Sequence, residues 1–151
     1  MADNKIISWG EVYVVGIELI DDQHKELVSL INQLYQACLT GNEEVETMFK
    51  EAMSRMVAYV KFHFAAEQKL LTRIKYPNFN EHKKQHDTLV MEILNAAKEY
   101  NEGKKFVPHN FVRTLKDWVL GHIAVADKSY AIYIHEQKAK GLLDDRQIAG
   151  G

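Results

Sequence analysis

Cysteine occurs once in the 151 residues, at Cys38, which excludes an intramolecular disulfide and suits a reducing cytosol. Nothing in the sequence places a base beside Cys38, so its simplest role is a small filler on a helix face. Proline occurs twice and glycine eight times, so few that each is expected to mark a boundary. Apolar runs last only a few residues, which excludes a membrane span. The start, MADNKIISWGEV, lacks the basic residues and apolar stretch of a secretory signal, and a cytoplasmic location follows as the expectation. With 19 Lys and Arg against 21 Asp and Glu, the net charge is -2, and no basic stripe is present to bind nucleic acid. Alternation with period two, solenoid repeats and low-complexity tracts are all missing, so neither a sheet nor a repeat array is expected.

Amphipathic helices remain. Residues 1–20 read as an extended arm carrying Trp9 and Tyr13. A first helix is predicted from about Asp21 to Leu39, with Gly41 as its stop, and its inward face reads His24, Leu27, Ile31, Leu34, Cys38. A second should start near the N-cap Asn42 and run to about Lys75, where Tyr76-Pro77 ends it; its face includes Phe49, Met53, Met56, Val60, His63, Glu67, Leu70 and Ile74. A third is predicted over Asn80 to Glu102, stopping at Gly103, and a fourth from Pro108 to about Lys140, before Gly141. The expected architecture is all-α, an antiparallel up-down-up-down four-helix bundle over residues 21–140, with the arm before it and a flexible tail over 141–151.

Polar residues interrupt the apolar faces. Positions four apart on a helix differ by only about 40° in direction, so His63 and Glu67 form one chelating pair and His82 and His86 another. His24 points into the same core from a third helix. Unpaired carboxylates and imidazoles are costly to bury, and a cation relieves that cost. Nitrogen and oxygen donors without thiolate suit iron, zinc or manganese. On the fourth helix His122 and Asp127 are five apart, which separates them by about 140° on a regular helix. However, the series Phe111, Leu115, Trp118, His122 and the series Asp127, Tyr130, Ile134 are displaced by one residue. One extra residue is what a π-bulge supplies, so a bulge between His122 and Asp127 is predicted. Five histidines and two carboxylates exceed what one first-row ion takes. They suit two ions bridged by both carboxylates, which with a bridging hydroxide neutralise most of the charge of a ferrous pair. Taken singly, any of these histidines is more simply a hydrogen-bonded core or surface residue; His109 and His135 stay under that reading.

The segments Trp9, GIELIDDQHKEL at 16–27, HFAAE at 63–67, YPNFNEHKKQH at 76–86 and WVLGHIAVADKSY at 118–130, together and in this order, resemble the hemerythrins, and among them the single-domain bacteriohemerythrins. The resemblance implies a non-haem di-iron centre. His82, His86 and His122 would cap one iron, while His24 and His63 would hold the other and leave it an open position for dioxygen. Glu67 and Asp127 would bridge the metals beside an oxo or hydroxo group. Such proteins bind dioxygen reversibly and hold it as hydroperoxide. Leu27, Phe64, Trp118, Val119 and Ile123 match positions lining an apolar pocket that excludes water. Val119 stands where relatives usually carry leucine. Gln68 replaces a glutamate commonly seen after the bridging one and is expected not to coordinate.

The function expected is reversible dioxygen binding, as a carrier, store or sensor rather than an enzyme. The alternatives are a di-iron oxidase or peroxidase, a nitric-oxide-handling protein, or a ligand-responsive signalling module. Against the oxidases, the Glu-x-x-His spacing of ferritin-like sites occurs nowhere in the chain. His-Glu-x-x-His, which a zinc hydrolase would carry, is missing too.

Overall fold

The computed structural model describes residues 5–39, 45–102 and 108–149. After a short 3-10 turn at Glu11–Tyr13, the helices are α1 (Glu18–Leu39), α2 (Val45–Arg73), α3 (Phe79–Asn101), α4 (Pro108–Gly121), α5 (Lys128–Ala139) and α6 (Asp145–Ala149). The π-helical segment His122–Asp127 joins α4 to α5. Its flanking residues Gly121 and Lys128 keep right-handed helical dihedrals, so α4, the π segment and α5 form one continuous rod. The expected stops and cap at Gly41, Asn42 and Gly103 lie outside the described residues. Among the described residues there is no strand and no helix long and apolar enough to cross a membrane.

Helix ends follow from local chemistry. The first helix begins three residues earlier than its hydrophobic pattern suggested, because the chain turns at Gly16, whose φ of 85° is left-handed. Asp21 then accepts hydrogen bonds from the Val15 and Gly16 amides at 2.8 and 3.1 Å. At the end of α2, Lys75 takes φ 56°; its amide donates to the Thr72 carbonyl and that of Tyr76 to the Leu71 carbonyl. The same paired bonds close α5, where Gly141 has φ 75° and the Gly141 and Leu142 amides reach Lys138 and Gln137. Both are Schellman closures, one of them built on a non-glycine residue. Beyond Gly141, where the sequence suggested fraying, α6 is fastened by Arg73 donating to the Gln147 carbonyl at 2.8 Å and by the ion pair Lys138–Asp145. Gln147 and Asp144 also exchange side-chain to backbone bonds.

Neighbouring helices pair in opposite order along the chain. Phe49 meets Tyr100 and Phe64 meets His86, which sets α2 against α3. Tyr35 meets His109, while His24 meets Asp127, which sets α1 against the α4–α5 rod. The arm lies along α1, pinned by the buried Asn32. Its Oδ1 accepts from the Ile6 and Ile7 amides and its Nδ2 donates to the Ile7 carbonyl, all at 3.0 Å.

The apolar interior divides in two. One cluster runs from Leu27 and Ile31 through Phe49, Met56 and Phe64 to Leu115, Val119 and Ile123. The other gathers Ile20, Leu70, Leu71, Ile74, Tyr130 and Ile134. On α1 His24 falls between Ile20 of one and Leu27 of the other, and on α2 His63 and Glu67 fall between Val60 and Leu70. A buried polar layer therefore sits between two greasy ones, which is what positions the site. Because a side chain in the left-handed region costs about 1 kcal/mol relative to glycine, Lys75→Gly should raise the unfolding free energy by roughly that amount. Urea denaturation with an unchanged m-value checks it.

Candidate metal centre

Each polar residue of the middle layer reaches it by helical geometry. The i, i+4 pairs His63/Glu67 and His82/His86 put two donors each on the inner faces of α2 and α3. His24 comes from α1. In the π segment the wider turn lets His122 and Asp127, five residues apart, face the same side, as the displaced hydrophobic series required. All seven are buried, and Glu67, Asp127 and His24 have no exposed surface.

The two carboxylates lie at the centre of five imidazoles. His24 Nε2 stands 3.0 Å from Asp127 Oδ2 and 3.5 Å from Glu67 Oε2. His82 Nε2 is 3.0 Å from Asp127 Oδ1 and 3.6 Å from Glu67 Oε1. His86 Nε2 lies 3.0 Å from Glu67 Oε1, His122 Nε2 3.0 Å from Asp127 Oδ1, and His63 Nε2 3.7 Å from Glu67 Oε1. The seven form two overlapping groups, one of Glu67, His82, His86, His122 and Asp127 and one of His24, His63, Glu67 and Asp127. Within each group the donor atoms lie within 4.8 Å of one another. Glu67 and Asp127 belong to both.

Burial alone would push both carboxyls towards the neutral acid, but the surrounding imidazoles outweigh it and hold Glu67 and Asp127 well below the usual carboxylate range. Burial also opposes charge on His24 and His82, yet the Asp127 and Glu67 carboxylates against them hold both imidazoles up at about 9. For His63 burial dominates and takes it down to about 4, and His86 is lowered for the same reason. Even so, six buried atoms have no directed hydrogen bond: both ring nitrogens of His24, Glu67 Oε1, His82 Nε2 and both oxygens of Asp127. Unsatisfied donors and acceptors on this scale are expensive in an apolar interior. All but His24 Nδ1 are atoms that face the two carboxylates or belong to them, as cation ligands would. The donor set, imidazole nitrogen and carboxylate oxygen with no sulfur, fits a first-row transition metal.

The chain matches the hemerythrin HHE cation binding domain over residues 15–131. It belongs to the hemerythrin family. The bacteriohemerythrin of Methylococcus capsulatus is 31% identical over 115 residues, covering 76% of this chain and 86% of the relative. A Pseudomonas aeruginosa bacteriohemerythrin is 28% identical over 142 residues, covering 94% and 90%, and a hemerythrin-like protein of Naegleria gruberi is 28% identical over 123 residues, covering 82% and 89%. A crystal structure of wild-type hemerythrin superposes with a TM-score of 0.77 at 28% identity, covering 83% of this chain and 95% of its own.

Of the five residues expected from the sequence to line an apolar pocket, Leu27, Phe64, Val119 and Ile123 are buried in the cluster on one side of the polar layer, and Trp118 packs against it. Phe64 stacks on His86 with centroids 3.7 Å apart and planes within 1°, and Trp118 stacks on His122 at 4.7 Å. Sequence reasoning missed Tyr130, which is fully buried and donates to Glu67 Oε2 at 2.7 Å; burial and the Glu67 charge push its phenol well above 10. A buried tyrosine hydroxyl needs an acceptor, and Tyr130 sits one turn past Asp127 on the inner face, so that signal was available. Also missed were Gln23 and Gln85, whose amide oxygens meet Nδ1 of His63 at 2.7 Å and of His122 at 2.9 Å. No sequence pattern announces those two.

An alanine inserted after Ala124, inside the π segment, should put His122 and Asp127 six apart, swing Asp127 roughly 100° further round the helix and abolish high-affinity cation binding with helix content retained. Deleting Ala124 instead leaves the two four apart, within about 40° on regular helix, and should preserve binding. Calorimetric metal titration beside far-UV circular dichroism checks it. In the metal-free protein, the contribution of His24 and His82 is fully present below about pH 6.5, their ordinary value, and fades as pH rises through about 9. His63 acts in the opposite sense, its contribution fading as pH falls from 6.5 through about 4. The metal-free melting temperature should therefore pass through a maximum between those limits. Cation loading should flatten the alkaline fall, since bound imidazoles carry no proton to lose.

Proposed function

We propose that this chain binds two non-haem iron ions in the polar layer and uses them to hold dioxygen reversibly, as a carrier, store or sensor. The observation that carries the reading is the sharing of Glu67 and Asp127 between two otherwise separate donor groups. Seven protein donors are too many for one first-row ion but suit a pair bridged by two carboxylates. His82, His86 and His122 would complete one iron. The other would have only His24 and His63, a smaller donor set that leaves room for an exogenous ligand. Held by these residues, a ferrous pair would supply the reducing equivalents that dioxygen binding needs.

The protein residues supply everything else. Tyr130 fixes one oxygen of Glu67, so the carboxylate keeps its orientation when charge in the layer changes. Phe64 and Trp118 lie flat against His86 and His122 and limit their rotation. Leu27, Val119 and Ile123, each 1–2% exposed, form a dry wall on that side of the layer. Exclusion of water slows loss of the bound ligand and of the reduced state. Val119 is shorter than leucine, which widens that wall by about a methylene's volume.

Anaerobic reconstitution should give two irons per chain. Air should then raise a visible charge-transfer absorption that disappears under vacuum and returns with air over repeated cycles. Fewer than two irons, or a band that bleaches once while product accumulates, would replace this reading with a mononuclear site or an oxidase. Titrating the same reduced protein with nitric oxide measures which gas binds more tightly.

A further inference from the structure

The outward nitrogens of three site imidazoles all meet the same kind of group. Gln23 Oε1 lies 2.7 Å from His63 Nδ1, Gln85 Oε1 lies 2.9 Å from His122 Nδ1, and Gln68 Nε2 lies 3.3 Å from His86 Nδ1. Three glutamines from three different helices converge on three different histidines, and none of these contacts is a carboxylate. We propose that Gln23, Gln68 and Gln85 are positioning residues forming a neutral outer ring. The ring orients each imidazole with Nε2 inward and sets the reduction potential of the bound metal pair by adding no charge. The proposal rests on the di-iron reading above.

The physical argument concerns what an imidazole's second nitrogen gives away. When Nε2 serves a cation, Nδ1 carries the proton and must donate it to something. A carboxylate acceptor draws that proton off, raises the basicity of the ring and favours the more oxidised metal. An amide oxygen accepts the same bond without a charge, so the reduced pair is kept relatively favoured. The layer already buries two carboxylates with no exposed surface, and further anions around it would push in the same direction as oxidation. Gln23 and Gln85 present oxygen to the ring, which presets His63 and His122 for coordination through Nε2. Gln68 presents its NH2 edge, which suits His86 with its proton on Nε2, 3.0 Å from Glu67 Oε1. A half-turn of that amide presents oxygen instead. Glutamine can serve both tautomers of His86, and glutamate, an acceptor only, cannot.

Gln68 and Gln85 are partly exposed, so an acid is tolerable at either. The test is spectroelectrochemical titration of the two-iron protein carrying Gln68→Glu, Gln85→Glu, or both. Ala65→Glu, on the exposed face of α2, supplies a matching charge that touches no imidazole. Each glutamine variant should lower the midpoint potential clearly more than Ala65→Glu, and the double variant should lower it further. Gln85→Leu, which removes the partner without adding charge, should weaken metal affinity by roughly tenfold or more, as loss of an outer hydrogen bond to a metal ligand does. Loaded variants whose potentials match the Ala65→Glu control would overturn this inference and leave the di-iron reading intact. A wild-type chain that fails to take up two irons would overturn both.

Discussion

Glu67 and Asp127 place two carboxylates side by side where no water reaches them, and the rest of the molecule is arranged around the cost of doing so. Isolated, either charge would be neutralised or exposed. Five imidazoles approach them from four helical rods, which is why both carboxyls stay ionised despite complete burial. That crowd of positive partners has its own limit, because imidazoles this close repel one another when charged. The structure resolves it unevenly, with His24 and His82 holding protons and His63 and His86 tending to lose them. A divalent cation answers both problems at once, since it satisfies the oxygens and prefers the imidazoles neutral.

Packing above and below the layer keeps this arrangement from relaxing. The polar residues are held between two apolar clusters, so no donor can swing out to solvent without opening a cavity. Aromatic rings fix the imidazoles from the sides, and Tyr130 fixes Glu67 from below, bridging the polar layer to the second cluster. The arm closes the outside of α1 through Asn32 and Asp21, each satisfying two backbone amides. These bonds involve none of the seven site residues, yet those of Asp21 fix where α1 begins and hence where His24 falls along it.

The π segment shows how a local irregularity serves a global need. Regular helix at the same five-residue spacing would set Asp127 away from His122 and carry the Tyr130 face off its cluster with it. A wider turn over His122–Asp127 keeps both the apolar series before it and the one after it in contact with the core. The irregularity is thus stabilised from each side by ordinary hydrophobic burial.

Much of this was legible in the sequence because helical periodicity is a local property. His63 with Glu67 and His82 with His86 announce themselves by a four-residue step on apolar faces. The phase slip between Trp118–His122 and Asp127–Tyr130 exposes the bulge, and the ordered set of segments exposes the family. Helix ends were read less closely. Lys75 in a left-handed closure and the early start of α1 depend on hydrogen bonds that composition does not reveal. The pairing of Gln23 with His63, forty residues apart, and of Gln85 with His122 belongs wholly to tertiary structure. So does the sharing of Glu67 and Asp127 by two donor groups. Sequence spacing determines which residues one helix presents on one face; only the packing of helices against each other decides which faces meet, and at what distance.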